Sequence, residues 1–457
     1  MGPAIFALIH FRTVKTAAPV FLALAISVTA SAQTAPDPAI LQVVQAIHAI
    51  DDHAHPPKVV GVGERDDDYD ALPCDPLEPA PVPAKIRSDN TQYIEAWKAL
   101  YGYRFNDMEP QHVREVLQAK EQLKRERGDQ YPNWILDQLG IETELANRVA
   151  MGRGLQAPRF RWIAFADPLL VVRRNNIALT YTPDRRIFYE REEKLLSRYM
   201  QALNVSQMPA TLNDYINMVV VPTLTAWKQQ SAVAIKFEAA YLRQLSFDPT
   251  SESDAAQSYI RVMGGGQSVA DYKHVQDFLF HRIALEAGRL NLPIQIHTGG
   301  GCGSYFRLEG SNPSLLESVF NDSTLRHTKF VVLHAGWPFD RELAFLLTKP
   351  NVYADFSQVT WMLSGRELAI TLRPWLEMYP EKVLFGTDLS PNTPEVDWEE
   401  IGWIASRDSR LALASVLTDL VHDGIITEPR AIQYAQMVMH DNAARLYALT
   451  SPAAAAK

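Results

Sequence analysis

Cysteine is nearly absent: the chain has two in 457 residues. Two cannot build a disulfide-stapled scaffold or a four-cysteine zinc site. A basic excess is also missing, since 44 Lys+Arg stand against 53 Asp+Glu for a formal charge of −9. That balance argues against the positive face that nucleic acid requires. No G-x-S-x-G elbow occurs, which removes the usual serine-hydrolase reading. The dinucleotide fingerprint G-x-G-x-x-G is missing after the first strand-like run, and the Walker lysine and hydroxyl are missing too. Acidic residues are absent from the first 36 positions, where Arg12 and Lys15 precede an apolar run over 17–30. Ala30-Ser31-Ala32 then supplies the small residues a signal peptidase accepts. The run is shorter than the roughly 20 residues of a membrane span. Residues 1–32 are therefore expected to be a secretory signal peptide, with no stable membrane insertion once it is removed. The mature protein is expected to be exported, periplasmic or secreted, and more acidic by the two cations lost.

An apolar fraction of 47% indicates a folded globular chain. Short β-rich runs alternate with longer helical patterns. The strand candidates are 49–55 (AIDDHAH), 144–151, 159–166 (RFRWIAFA), 233–241 (VAIKFEAAY) and 293–298 (PIQIHT). Three more are 329–335 (KFVVLHA), 351–356 (NVYADF) and 382–387 (KVLFGT). Eight such units, apolar on both faces, imply a parallel sheet and favour a (β/α)8 TIM barrel of the α/β class. Two segments are too long for ordinary connections, 57–133 after the first strand and 168–210 after the third. Both leave from C-terminal strand ends, where barrel enzymes build their pockets, so they are expected to form a partly helical lid. The segments 396–423 and 428–449 read as closing helices, and 451–457 as a frayed tail.

Chemistry-bearing residues sit at the strand ends. His53 and His55 close the first strand, and a two-residue spacing points both imidazoles to one side. His297 ends the fifth strand, His334 the sixth and Asp388 the eighth, and Lys236 lies within the fourth. In a barrel these positions converge on one mouth. Imidazoles with one carboxylate suit Zn²⁺, or less selectively Mn²⁺, Fe²⁺ and Ni²⁺. If His53 and Asp388 share a metal, 33–457 is a single domain carrying both insertions.

This pattern of HxH, Lys, His, His and Asp resembles the amidohydrolase superfamily of metal-dependent barrel enzymes. The closing segment 440–447 (HDNAARLY) is similar to the C-terminal signature of its amidohydrolase-related branch. The resemblance implies a first divalent metal on His53, His55 and Asp388. It implies a second on His297 and His334, bridged by Lys236 if that amine is carboxylated. In one-metal members His297 would complete the single site and His334 would bind substrate. One or two metals, most simply Zn, are thus expected. Asp388 would be the proton acceptor and His334 a stabiliser of negative charge. The expected reaction is attack of activated water on an amide, ester or lactone carbonyl of a small molecule. Non-oxidative decarboxylation or isomerisation on the same barrel is the alternative, and a catalytically silent metal-binding scaffold is a third reading.

Tyr241, Arg243, Trp337 and Tyr305 follow motif residues and are candidates to line the substrate pocket. The glycine runs at 264–266 and 299–303 read as loops. Cys74 and Cys302 fall after the first and fifth strands, on one face, and export permits a disulfide between them. No nucleic-acid partner is expected, and a homo-oligomer is left open.

Overall fold

The β-rich runs form eight strands: β1 (Ala49–Ala54), β2 (Ile141–Asn147), β3 (Phe160–Phe165), β4 (Ala234–Phe237), β5 (Ile294–Ile296), β6 (Phe330–Val332), β7 (Val352–Asp355) and β8 (Val383–Leu384). The structure is a computed structural model that describes residues 35–449 except 62, 75–76, 78–80, 173–174, 180–182, 267 and 305. The expected export signal, the 451–457 tail and Tyr305 lie outside the described residues. Each strand pairs with the next in parallel, in the order β1 to β8. Three backbone bonds join the two ends of the sheet: Asp52 N to Phe385 O at 2.8 Å, Asp388 N to His53 O at 2.7 Å and His55 N to Leu389 O at 2.8 Å. The fold is a (β/α)8 barrel, as the alternation of strands and helices implies.

The period of two decides which side chains enter the barrel. Ile50, Leu145, Ile163, Ala234, Val331 and Leu384 pack together inside it, closed below by Ala443, Leu446 and Tyr447 of the last helical segment. Their strand neighbours Ile235, Phe237, Ile294, Ile296, Phe330 and Val332 face the helical layer. Phe237, for example, meets Phe280 of the helix Val269–Arg289 at 5.0 Å between ring centroids. Burying each such side chain contributes about 1.5–3 kcal/mol. With the lower barrel filled by hydrocarbon, the polar residues of the same strands are confined to the upper end.

Several strands pair over fewer residues than their patterns suggest, β4, β6 and β8 most clearly, and two elements differ further in place. β2 starts at Ile141 and stops at Asn147, three and four residues earlier than its apolar pattern over 144–151 suggests. Gly140, at φ 65°, ends the preceding helix Tyr131–Leu139, so pairing begins at once. Beyond Asn147, Arg148 turns to Asp66 at 2.8 Å and Val149 N bonds Asp68 O, which draws the chain out of the ladder. The closing segment is not one helix either: a wide turn at Met437–Asp441 separates Glu428–Gln436 from Asn442–Leu446.

The first insertion carries the helices Tyr93–Tyr101 and Pro110–Arg127 and leads into Tyr131–Leu139. Buried Lys120 lies 3.0 Å from Glu399 and 2.9 Å from Glu400, anchoring them to the start of the long helix Trp398–His422. The second insertion carries Arg186–Ala202. It is pinned at the strand ends by Tyr199 Oη to Phe165 O at 3.1 Å and Tyr189 Oη to Leu242 O at 2.7 Å. Cys74 of the first insertion and Cys302 of the loop after β5 form a disulfide, with Cα atoms 5.9 Å apart. No helix among the described residues is long and apolar enough to cross a membrane.

Candidate metal centre

β1 is irregular in its pairing with β2, and its polar end turns His53 and His55 into the barrel mouth. There the Asp388 carboxylate receives both. His53 Nε2 lies 3.2 Å and His55 Nε2 3.6 Å from the same oxygen, Asp388 Oδ1. The three residues form a group whose ligand atoms all fall within 4.8 Å of one another. His55 also belongs to a second such group with Asp70 and Glu238. Lys236 is fully buried, with Nζ 3.3 Å from His53 Nε2 and 3.8 Å from Glu238 Oε1.

Hydrogen bonds decide which imidazole nitrogens are free. The Gln295 amide nitrogen donates to Asp52 O at 2.7 Å and Tyr447 Oη at 2.9 Å. Its oxygen therefore faces His53 Nδ1, at 3.2 Å, and accepts a proton from it. His53 Nε2 is left as a lone pair that faces Asp388 and accepts from Lys236 Nζ at 3.3 Å. A second relay runs through β6 and β7. Ser357 Oγ donates to Asp355 Oδ1 and accepts from His334 Nδ1 at 3.0 Å. His334 Nε2 then accepts from His297 Nδ1 at 3.0 Å. The relay ends at His297 Nε2, a buried nitrogen with no hydrogen-bond partner among the described residues. Two neutral imidazoles presented by their Nε2 lone pairs, each fixed through Nδ1, match what a divalent metal requires.

Electrostatics point the same way. Burial, reinforced by the Lys236 ammonium, holds the His53 and His297 pKa values well below that of free imidazole. Burial lowers His55 to about 4. Burial also pushes the Asp388 carboxyl well above the usual range, partly offset by Lys236. A bound cation would restore the carboxylate and use the neutral imidazoles as they stand. The donor set fits a divalent metal.

The backbone is strained where these groups are displayed. His334 has φ 63° and Asp388 φ 55°, in a left-handed region that side chains with a Cβ rarely occupy. Asp355 Oδ1 accepts from His334 N at 3.1 Å, and Asp51 accepts from Thr387 N at 2.9 Å, so carboxylates hold both turns. Gly299, at φ 71°, lets the loop after β5 pass the Trp337 carbonyl, where any Cβ would collide.

The remaining sequence candidates divide. The Tyr241 ring packs on His297 at 4.6 Å between centroids, and its hydroxyl accepts from Cys302 N at 3.4 Å. The Arg243 guanidinium is engaged elsewhere, by Asp277 at 2.6 Å, Gln276 at 3.2 Å and the Ser246 carbonyl at 2.8 Å. Trp337 is half-buried beside the mouth, and its carbonyl accepts from Gly300 N at 2.8 Å. Gln295, Asp355, Ser357 and Asp70 escaped the sequence reading. Gln295 stands two positions before His297 and was legible from the strand period. Asp70 carries no signal beyond a general acidic run.

The amidohydrolase family model matches residues 217–449, just over half of the chain. The chain belongs to the amidohydrolase family. Members of the superfamily are metal-dependent enzymes, and the candidate ligands described here lie at its barrel mouth. Protein fluG of Emericella nidulans is 32% identical over 233 residues, which span 48% of this chain but only 26% of that protein. Three solved structures share the fold at low identity. A Lactobacillus casei protein named as a metal-dependent hydrolase gives a TM-score of 0.54 at 16% identity, over 91% of this chain and 98% of that one. Glucuronate isomerase of Caulobacter crescentus gives 0.53 at 13%, over 90% and 93%. Uronate isomerase of Thermotoga maritima gives 0.51 at 13%, over 90% and 98%.

Proposed function

We propose that this amidohydrolase-family protein is an exported hydrolase that opens an amide, ester or lactone bond of a small molecule. The observation that carries the reading is the convergence of His53 Nε2 and His55 Nε2 on one oxygen of Asp388, at 3.2 and 3.6 Å. His53, His55 and Asp388 would hold a divalent metal, Zn²⁺ by the nature of the donors, with the His297 lone pair beside them. When bound, such an ion lowers the pKa of a water towards about 7 and polarises a carbonyl oxygen.

The chain's own groups supply the rest. Asp388 takes the proton from the attacking water and returns it to the leaving nitrogen or oxygen. The Lys236 ammonium lies inside the mouth and stabilises negative charge growing on the carbonyl oxygen. Tyr241, against His297, closes one wall. Carboxylation of Lys236 would convert that ammonium into an anionic bridge and admit a second metal. A one-metal isomerase or decarboxylase is the second reading. It is favoured by the 3.0 Å bond that ties His334 Nε2 to His297 and takes it away from a second ion.

Elemental analysis separates one metal per chain from two. Turnover of dipeptides, N-acyl amino acids, lactones and aromatic carboxylates then identifies the reaction. Asp388→Asn should leave the fold intact and lower kcat at least about 1000-fold, as expected where a group that moves the proton is lost. Activity within tenfold of the parent would remove Asp388 from this role. Export is tested by sequencing the N-terminus of the mature protein, which should begin at Gln33.

A further inference from the structure

We infer that the substrate carries a carboxylate or similar anionic group, and that Arg185 of the second insertion binds it in a small cavity beside the metal centre. The inference rests on the reading that chemistry occurs at His53, His55 and Asp388. Arg185 is 4% exposed. Its only ionic partner among the described residues is Asp184, at 3.2 Å from Nε, whose side chain is 34% exposed. No hydrogen bond from the guanidinium is formed among the described residues, although it carries five donors. A buried arginine is ordinarily held by several acceptors, as Arg148 is by Asp66, the Pro56 carbonyl and the Ala150 carbonyl.

The surroundings fix where those donors lie. The guanidinium sits 5.9 Å from the centroids of both Phe188 and Phe306. Tyr241 packs on Phe188 at 5.7 Å and on Phe306 at 5.2 Å, and its own ring meets His297 at 4.6 Å. One aromatic ring thus separates the arginine's cage from a candidate metal ligand. Arg185, Tyr241, Gln244 and Arg307, together with Asp184 and Arg243, line a cavity of about 80 Å³. A water takes about 30 Å³ of liquid, so the space suits a carboxylate.

Charge selects the ligand. Arg243 is matched by buried Asp277 at 2.6 Å. Among the described lining residues Arg185 and exposed Arg307 then stand against Asp184 alone, a local excess of positive charge in a protein of formal charge −9. A planar carboxylate can replace the exposed Asp184 and take two parallel bonds from the fork, which a neutral amide cannot.

Calorimetric titration of the full chain tests this with acetate, benzoate and N-benzoylglycine, each against its own amide. At least one carboxylate should bind about tenfold or more tightly than its amide, and Arg185→Gln should remove that margin while leaving amide binding unchanged. Absence of any margin in the parent, or its survival in Arg185→Gln, overturns the assignment. Should Arg185→Gln not fold, Arg185→Lys takes its place. It keeps the charge but not the fork, so loss of at least about threefold supports the assignment and no loss overturns it. The metal-stripped protein separates this from the hydrolase reading. A margin that persists without metal belongs to Arg185 even if no amide or ester is ever cleaved, and one that vanishes with the metal overturns the assignment.

Discussion

Gln295 offers the sharpest test of how the centre is assembled. It is fully buried, accepts from His53 Nδ1 and donates to the Asp52 carbonyl and the Tyr447 hydroxyl. Replacing it with leucine keeps an apolar stem of similar bulk and removes all three bonds. His53 can then carry its proton on Nε2, where Asp388 at 3.2 Å accepts it. That proton occupies the lone pair a metal needs. Loss of such an orienting partner costs about 10–100-fold in metal affinity, or about 1.4–2.7 kcal/mol. The metal-free protein should also lose about 2–6 kcal/mol, because the Asp52 carbonyl and His53 Nδ1 become orphaned and each orphan costs about 1–3 kcal/mol. Competition with a chelator for Zn²⁺ gives the first quantity, and urea unfolding of the metal-free protein gives the second. Gln295→Glu is the control, since it still accepts from His53 Nδ1 and should bind metal more tightly than Gln295→Leu. A folded leucine variant with parental metal affinity, or a glutamate variant weaker than it, would refute the relay.

Three further outcomes are expected. Lys120→Met leaves Glu399 and Glu400, both almost fully buried, without the ammonium at 3.0 and 2.9 Å, and should cost about 3–5 kcal/mol in urea unfolding; a loss under about 1 kcal/mol contradicts the anchoring role. Cys302→Ser opens a link with a sequence separation of 228, worth about 5 kcal/mol in unfolded-chain entropy, so unchanged denaturation with and without reductant counts against the disulfide. Metal uptake by the metal-free protein should strengthen as pH rises. Burial keeps the imidazoles neutral, whereas the raised Asp388 carboxyl must lose its proton before it can bind. The gain ends once pH passes that raised pKa, and calorimetry in two buffers of different ionisation heat should find a proton release per metal that falls as pH rises; release that does not change with pH would contradict the assignment.

The barrel was legible because its two signals are local: apolar runs of strand length, and ligands at their ends. What the sequence overstated was strand length. The patterns at 329–335 and 382–387 promised seven and six residues, whereas β6 and β8 pair over three and two. After Val332 the backbone turns left-handed at His334, while beyond Leu384 the chain leaves β7 and stays bonded to β1 through Phe385 O, Asp388 N and Leu389 O. Hydrophobic periodicity does not register such a turn. Gln295 was within reach of the period-two argument, yet an uncharged amide gives no chemical prompt. Asp70 and Arg185 were beyond reach. They stand in long insertions without a regular pattern, and what brings them to the mouth is tertiary: the Cys74–Cys302 bond for one, the Phe188–Phe306–Tyr241 cage for the other.

The strain at His334 and Asp388 explains why two buried carboxyl groups that bear no direct chemistry, Asp355 and Asp51, stand beside them. A left-handed residue with a Cβ costs about 1–3 kcal/mol, and persists only where its surroundings over-determine it. Asp355 supplies this at His334 by accepting from His334 N at 3.1 Å and Ser357 N at 3.0 Å. Asp51 supplies it at Asp388 through Thr387 N at 2.9 Å, while Asp388 N donates to His53 O at 2.7 Å. That last bond also closes the barrel between β1 and the end of β8. The carboxylate that gathers His53 and His55 is therefore set by the same contacts that complete the sheet, so the mouth is shaped before any ligand arrives. Glycine at 388 would relieve the backbone and remove the side chain that gathers the imidazoles. The strained aspartate is retained for the direction in which it points.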